Sequence, residues 1–144
     1  MRLELTRRGD YAVLAMLAIA ANDETRPVSV RRIAETMSIP PRILPQVMRD
    51  LVRAGLVEAH TGRTGGYRLS RPAEDISVLA VIEAIEGDTR RQTCVLRGGP
   101  CSKEGQCAVH AVFFAAQEAL RRELRDATLR DAVSNEEMRI VLAM

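Results

Sequence analysis

From Tyr11 to Ala21 every side chain is apolar, and the Ala- and Leu-rich make-up of the run predicts a buried core helix from Asp10 onward. Thr6 is suited to cap it, and Asn22 and Asp23 close it. Beyond the Pro27 turn, Val30, Ile33, Ala34 and Met37 recur at helical spacing behind Ser29, a second capping residue. Ser38-Ile-Pro-Pro then breaks the chain. A third helix is predicted from about Pro41 to Ala54, with Ile43, Leu44, Val47, Met48, Leu51 and Val52 inward and Arg42, Gln46, Arg49 and Arg53 outward. Pro45 within it lacks an N–H and should kink or shorten it. Two helices, a tight turn and an Arg-rich third segment make a helix-turn-helix pattern.

Gly55 ends that helix, Leu56-Val-Glu-Ala-His reads as a short strand, and Tyr67-Arg-Leu-Ser returns as its partner across the turn Thr61-Gly-Arg-Thr-Gly-Gly. Placed directly behind a helix-turn-helix, this hairpin is a wing. Its glycines permit close approach to phosphates or simply supply positive φ, and Arg63 and Arg68 bring charge. A fourth helix runs from Ser77 to Glu86 and stops at Gly87. Gly98, Gly99, Pro100 and Gly105 exclude regular structure in the next stretch. A long helix from near Cys107 to about Thr128 carries Val109, Val112, Phe113, Ala116, Leu120 and Leu124 on one stripe, with Glu118, Arg121, Arg122, Glu123 and Arg125 opposite. Appended to a module that has its own core, such a stripe is expected to pack against a second subunit. The closing residues 136–144 have no clear pattern. The fold class is therefore mainly α with a small β-hairpin: a winged helix-turn-helix domain over 1–75, a linking helix and cysteine loop over 76–106, a dimerisation helix over 107–130 and a tail over 131–144.

At 144 residues the chain is about one domain, on a prior of roughly 100–200 residues each. With no Trp and 3% aromatic residues, its interior must be built from Ala, Val, Leu, Ile and Met. The longest apolar run is too short for the ~20 residues of a membrane span, and the first residues lack a signal peptide's organisation, so a cytoplasmic protein with no membrane partner is expected. The net charge of +2 conceals an asymmetry. Residues 1–71 hold 12 Arg against 7 acids, a balance of +5, whereas residues 72–144 hold 9 basic and 12 acidic side chains, a balance of −3. Arg is the side chain best suited to bidentate phosphate and base contacts, which makes the front half a candidate nucleic-acid face.

The spacing Cys94-x6-Cys101-x5-Cys107 and the odd count argue against a disulfide framework. A glycine-rich loop can bend until three sulfurs converge, as a metal or an iron-sulfur cluster requires. The fourth ligand has two candidates: His110, three residues beyond Cys107 on the same helix face, and Asp10, the acid at the head of the first helix. Zinc lacks its usual paired Cys-x2-4-Cys knuckle here, and metal-free redox thiols are the other alternative. An enzyme such as a small thiol oxidoreductase has no Cys-x-x-Cys pair, no Ser/His/Asp set and no P-loop to support it.

The opening Met1-Arg-Leu-Glu-Leu-Thr-Arg-Arg-Gly-Asp-Tyr-Ala, the helix end Leu51-Val-Arg-Ala-Gly-Leu-Val, the wing Gly62-Arg-Thr-Gly-Gly-Tyr-Arg-Leu and the three-cysteine loop together resemble the IscR- and NsrR-like winged-helix regulators of the bacterial Rrf-two family. The resemblance spans roughly residues 1–130. It implies a homodimeric transcription factor, typically a repressor, whose iron-sulfur cluster (2Fe-2S or 4Fe-4S) sets its affinity for a double-stranded DNA operator in response to nitric oxide, redox state or iron and cluster status. Cys94, Cys101 and Cys107 match the cluster cysteines. His110 stands where IscR-like members place a histidine ligand, and Asp10 where NsrR-like members recruit an aspartate from the partner subunit. The first cysteine gap holds six residues where close relatives often have five. Expected DNA contacts are Arg42, Gln46 and Arg49 on the recognition surface, Arg31 and Arg32 at phosphates, and Arg63, Thr64, Gly65, Gly66 and Tyr67 in the wing.

Overall fold

A computed structural model describes residues 4–22, 24–90, 93–94, 99 and 107–135. Its elements are α1 (Arg7–Ala20), α2 (Val30–Met37), α3 (Leu44–Arg53), β1 (Val57–His60), β2 (Gly66–Leu69), a 3-10 turn (Ala73–Asp75), α4 (Val78–Glu86), α5 (Ala108–Asp126) and α6 (Leu129–Ser134). α1, α2 and α4 each start where a hydroxyl can accept an otherwise orphaned amide. Thr6 accepts from the Gly9 N–H, Ser29 from Arg32 and Ser77 from Ala80.

The core gathers around α1, which packs against α2, α3, α4, α6 and β2. Ala12, Ala15 and Met16 on α1 are fully buried, as are Ile33, Leu44, Val47, Met48, Leu51, Ile76 and Val81 around it. The buried apolar side chains among the described residues are all Ala, Val, Leu, Ile or Met, and none of the buried side chains there is polar or charged. Small side chains along α1 let four helices approach one axis, and branched and thioether side chains fill the remaining volume.

Three features differ from the hydrophobic pattern. The third helix begins at Leu44 rather than Pro41, because Pro45 sits in its first turn, where its missing N–H costs nothing; the proline sets the start instead of kinking the middle. Val52, expected inward, is 38% exposed. The long helix ends at Asp126 rather than about Thr128, and a short α6 follows it; residues 136–144, which carried no pattern, lie outside the described residues. Thr128 and Asp131 close a capping box at its start. Leu129, 1% exposed, plugs the core, while the Leu129 N–H donates to the Ile76 carbonyl at 2.9 Å and the Val78 N–H to Ala127 at 2.9 Å. These bonds return the end of α5 to the start of α4.

Candidate nucleic-acid interface and cysteine segment

The turn between α2 and α3 is set by Ser38, the α2 C-cap, held at φ 53° in the left-handed region, and by Ile39, buried to 2% exposure. Pro40 and Pro41 then carry the chain into α3. On the solvent side of this unit lie Arg31 and Arg32 on α2, Arg42 in the turn before α3, and Gln46 and Arg49 on α3, all exposed. Arg42 thus stands outside the helix to which the pattern assigned it. Arg31 is engaged with Glu35 at 2.8 Å, an i,i+4 pair in open solvent, and this hydrogen bond raises the guanidinium pKa above its ordinary value. Every buried α3 side chain, Leu44, Val47, Met48 and Leu51, faces away from this row.

β1 and β2 pair antiparallel with Val57 opposite Leu69 and His60 opposite Gly66. Val28 adds a one-residue bridge on the far side of β2, exchanging hydrogen bonds with Tyr67 at 2.7 and 2.9 Å. This bridge explains Gly66: its φ is +150°, and a Cβ there would overlap the Val28 carbonyl. A Cβ on Gly65 would likewise overlap the His60 carbonyl. Both glycines therefore have packing reasons of their own. Arg63 and Thr64 at the tip are exposed, and Tyr67 is half-buried against the core. Arg68 pairs with Glu58 across the hairpin at 3.3 Å.

Cys94 and Cys107 lie in the segment that connects α4 to α5; both are half-buried, and Cys107 is the N-cap of α5. Cys101 lies outside the described residues. His110 is half-buried one turn beyond Cys107, its ring stacked near Phe114 with centroids 6.4 Å apart. Asp10 is exposed in the first turn of α1, where a carboxylate complements the helix dipole. Among the described residues no three His, Cys, Asp or Glu side chains converge closely enough to hold a metal ion. In chemical type, however, a thiolate and an imidazole on one helix face suit iron-sulfur ligation, which accepts both donors.

Arg121 overturns one expectation. Placed by the pattern on the charged outer face of α5, its side chain is only 11% exposed and reaches α4 instead. Its Nη1 donates to Glu83 Oε1 at 2.5 Å and to the Thr89 hydroxyl, and lies 3.8 Å from Asp88. Burial pushes the Glu83 carboxyl up, but hydrogen bonds from Arg121 and Thr89 outweigh it and hold Glu83 below its ordinary value. The Arg90 guanidinium beside Asp88 lowers that carboxyl to about 2. The signal was available in the sequence: Phe113, Gln117, Arg121 and Leu124 share one face, and that half-buried face turns toward the module. Arg8, on the first turn of α1, pairs with Asp50 of α3, a contact that periodicity gave no means of finding.

An arginine-bearing helix-turn-helix with a hairpin wing, joined through a cysteine segment to a long, unburied helix, defines a winged-helix DNA-binding transcriptional regulator. Residues 5–135 match the Rrf2 family, described as an iron-dependent transcriptional regulator. Among curated relatives, the HTH-type transcriptional regulator IscR of Klebsiella pneumoniae (strain 342) is 37% identical over 136 residues, 94% of this chain and 83% of that protein. IscR of Escherichia coli O1:K1 / APEC is 35% identical over the same shares. Among solved structures, IscR of T. potens aligns with a TM-score of 0.72 at 29% identity, covering 92% of this chain and 87% of that one. CymR, the global cysteine regulator of B. subtilis, aligns at 0.79 and 26% identity over 92% and 98%. The chain belongs to the Rrf2 family, and its relatives are transcriptional regulators rather than enzymes.

Proposed function

We propose that this chain is a homodimeric, cytoplasmic repressor whose operator affinity is set by an iron-sulfur cluster held by Cys94, Cys101 and Cys107, with His110 or the partner's counterpart of Asp10 as fourth ligand. The observation that carries the reading is the place of Cys94 and Cys107 within the connection between α4 and α5, Cys107 as the N-cap of α5. A group bound there lies between the DNA-reading module and the long helix, so its gain or loss bears on both. When bound, the cluster supplies a redox- and nitric-oxide-reactive centre.

The remaining roles fall to the protein's own side chains. Val109, Val112 and Leu120 leave an apolar face of α5 exposed, Val112 at 67%, and a second copy is its natural cover. Dimerisation sets two α3 helices toward successive major grooves. Gln46 and Arg49 read base edges, Arg42, Arg31 and Arg32 hold phosphates, and Arg63 and Thr64 take the wing to the flanking backbone, with Gly65, Gly66 and Tyr67 holding its shape. Arg31 must exchange Glu35 for a phosphate, a replacement of one charge-assisted bond by another.

Anaerobic purification followed by visible absorption and native mass spectrometry tests the reading. A brown dimer whose mass includes iron and sulfide, lost in a Cys101→Ala variant, is expected. A colourless protein carrying zinc or no metal would overturn the cluster assignment.

A further inference from the structure

α4 packs against the DNA-reading helix α3 directly, and its last turn also reaches α3 by a polar route through the start of α1. Glu86 extends its carboxylate to the N-terminus of α1, where its Oε1 accepts from the Thr6 N–H at 2.6 Å. Gly9 makes this possible, because a Cβ at that position would overlap the same oxygen. A carboxylate at a helix N-terminus satisfies orphaned amides and complements the dipole, so the contact is directional as well as close. One residue before Gly9, the Arg8 side chain leaves the same turn and pairs with Asp50 on α3, whose side chain is 20% exposed. On the other side, Glu83 accepts from the Thr89 hydroxyl at 2.8 Å, five residues before Cys94.

We propose that Glu86 is a positioning residue that transmits the state of the cysteine segment to α3, through the N-terminal turn of α1 and the Arg8–Asp50 pair. This inference rests on the regulatory reading above for its signal, and adds the path by which the signal travels. A displacement at Thr89, passed on through its hydrogen bond to Glu83, moves the last turn of α4, Glu86 carries the first turn of α1 with it, and Arg8 passes the displacement to α3.

Two variants break the contact from opposite sides. Glu86→Ala removes the carboxylate. Gly9→Ala displaces it without changing charge, and costs little in folding, since the overlapping atom ends a flexible side chain and Ala favours helix. Ile76→Val, a core change remote from the route, controls for general destabilisation. The readout is the ratio of operator affinities of the full-length dimer with and without reconstituted iron and sulfide, by fluorescence anisotropy. Both path variants are expected to reduce the wild-type ratio by about 2- to 30-fold, the span of coupling changes seen along such routes, while Ile76→Val retains it. A retained ratio in Glu86→Ala and Gly9→Ala, or an equal loss in Ile76→Val, overturns the proposal.

Hydrogen exchange on the metal-free protein separates the two readings. Gly9→Ala is expected to speed exchange at the Thr6 amide and at the α3 amides from Val47 to Leu51, and no change at α3 overturns the route. A wild-type affinity ratio of one would sink the regulatory reading and leave the route to be judged by exchange alone.

Discussion

The winged module and α5 solve opposite problems with similar residues. Residues of α1 to α4 close a core in which Met16, Ile33, Leu44 and Leu51 have no exposure, whereas none of the 19 residues of α5 is buried. Phe113 and Leu124 of α5 are half-buried on the side of α4, where the helix is held by the Arg121–Glu83 pair, while Val112 and Phe114 stand in solvent. The module owes its stability to burial within one chain; α5 is held by a polar clasp toward α4 and leaves Val112 and Phe114 uncovered within this chain. Apolar side chains repeating at helical spacing thus mean core in one region and an exposed stripe in the other.

The comparison can be broken at several points. The largest effect is expected in the module: Leu51→Ala should cost about 2–5 kcal/mol in urea denaturation, the range for emptying a packed core site. On α5, Val112→Asp should leave the monomer's far-ultraviolet circular dichroism intact yet weaken self-association about 30-fold or more in analytical ultracentrifugation, as for an interface hot spot. An unchanged dimer would place the interface elsewhere. Between the regions, Arg49→Ala should cost ~1–3 kcal/mol of discrimination at one base position, while Arg31→Ala weakens all duplexes alike and lowers the salt slope by about one. Thr128→Ala, which removes the cap that returns α5 to the module, should cost ~0.5–2 kcal/mol.

The smallest effect concerns the clasp's acid side. Asp88 has its folded-state pKa depressed from 3.8 to about 2 and Glu83 is depressed as well, so their contributions are present above pH 4.5 and lost as the pH falls through the folded-state values. Thermal melts of the wild type should therefore fall more steeply between pH 4.5 and 2 than those of Arg121→Gln, which lacks the partner of Glu83. Parallel curves would show the clasp to be energetically silent.

Much of the module was legible because its signals are local. Thr6, Ser29 and Ser77 mark helix starts by chemistry that acts within three residues, and the short runs Leu56-Val-Glu-Ala-His and Tyr67-Arg-Leu-Ser on each side of a glycine-rich turn mark the wing. The start of α3 was misplaced because Pro45 reads as a helix breaker until its position in the first turn is known. α6 was missed because six residues are too few to show a period, although Thr128 and Asp131 carry the capping-box spacing. Arg121 was misread because charge was weighed above position. The contacts of Glu86 with Thr6 and of Arg8 with Asp50 join residues 80 and 42 positions apart, which no local pattern encodes.

The claim on which the account depends is that chemistry at the cysteines changes the grip on DNA. An operator selected from random duplexes, titrated anaerobically with one dimer preparation before and after removal of its iron and sulfide, tests it most directly. The account predicts affinities that differ by about 5- to 150-fold, the usual span of allosteric coupling. Equal affinities, from a preparation whose iron and sulfide had been measured beforehand, would contradict it.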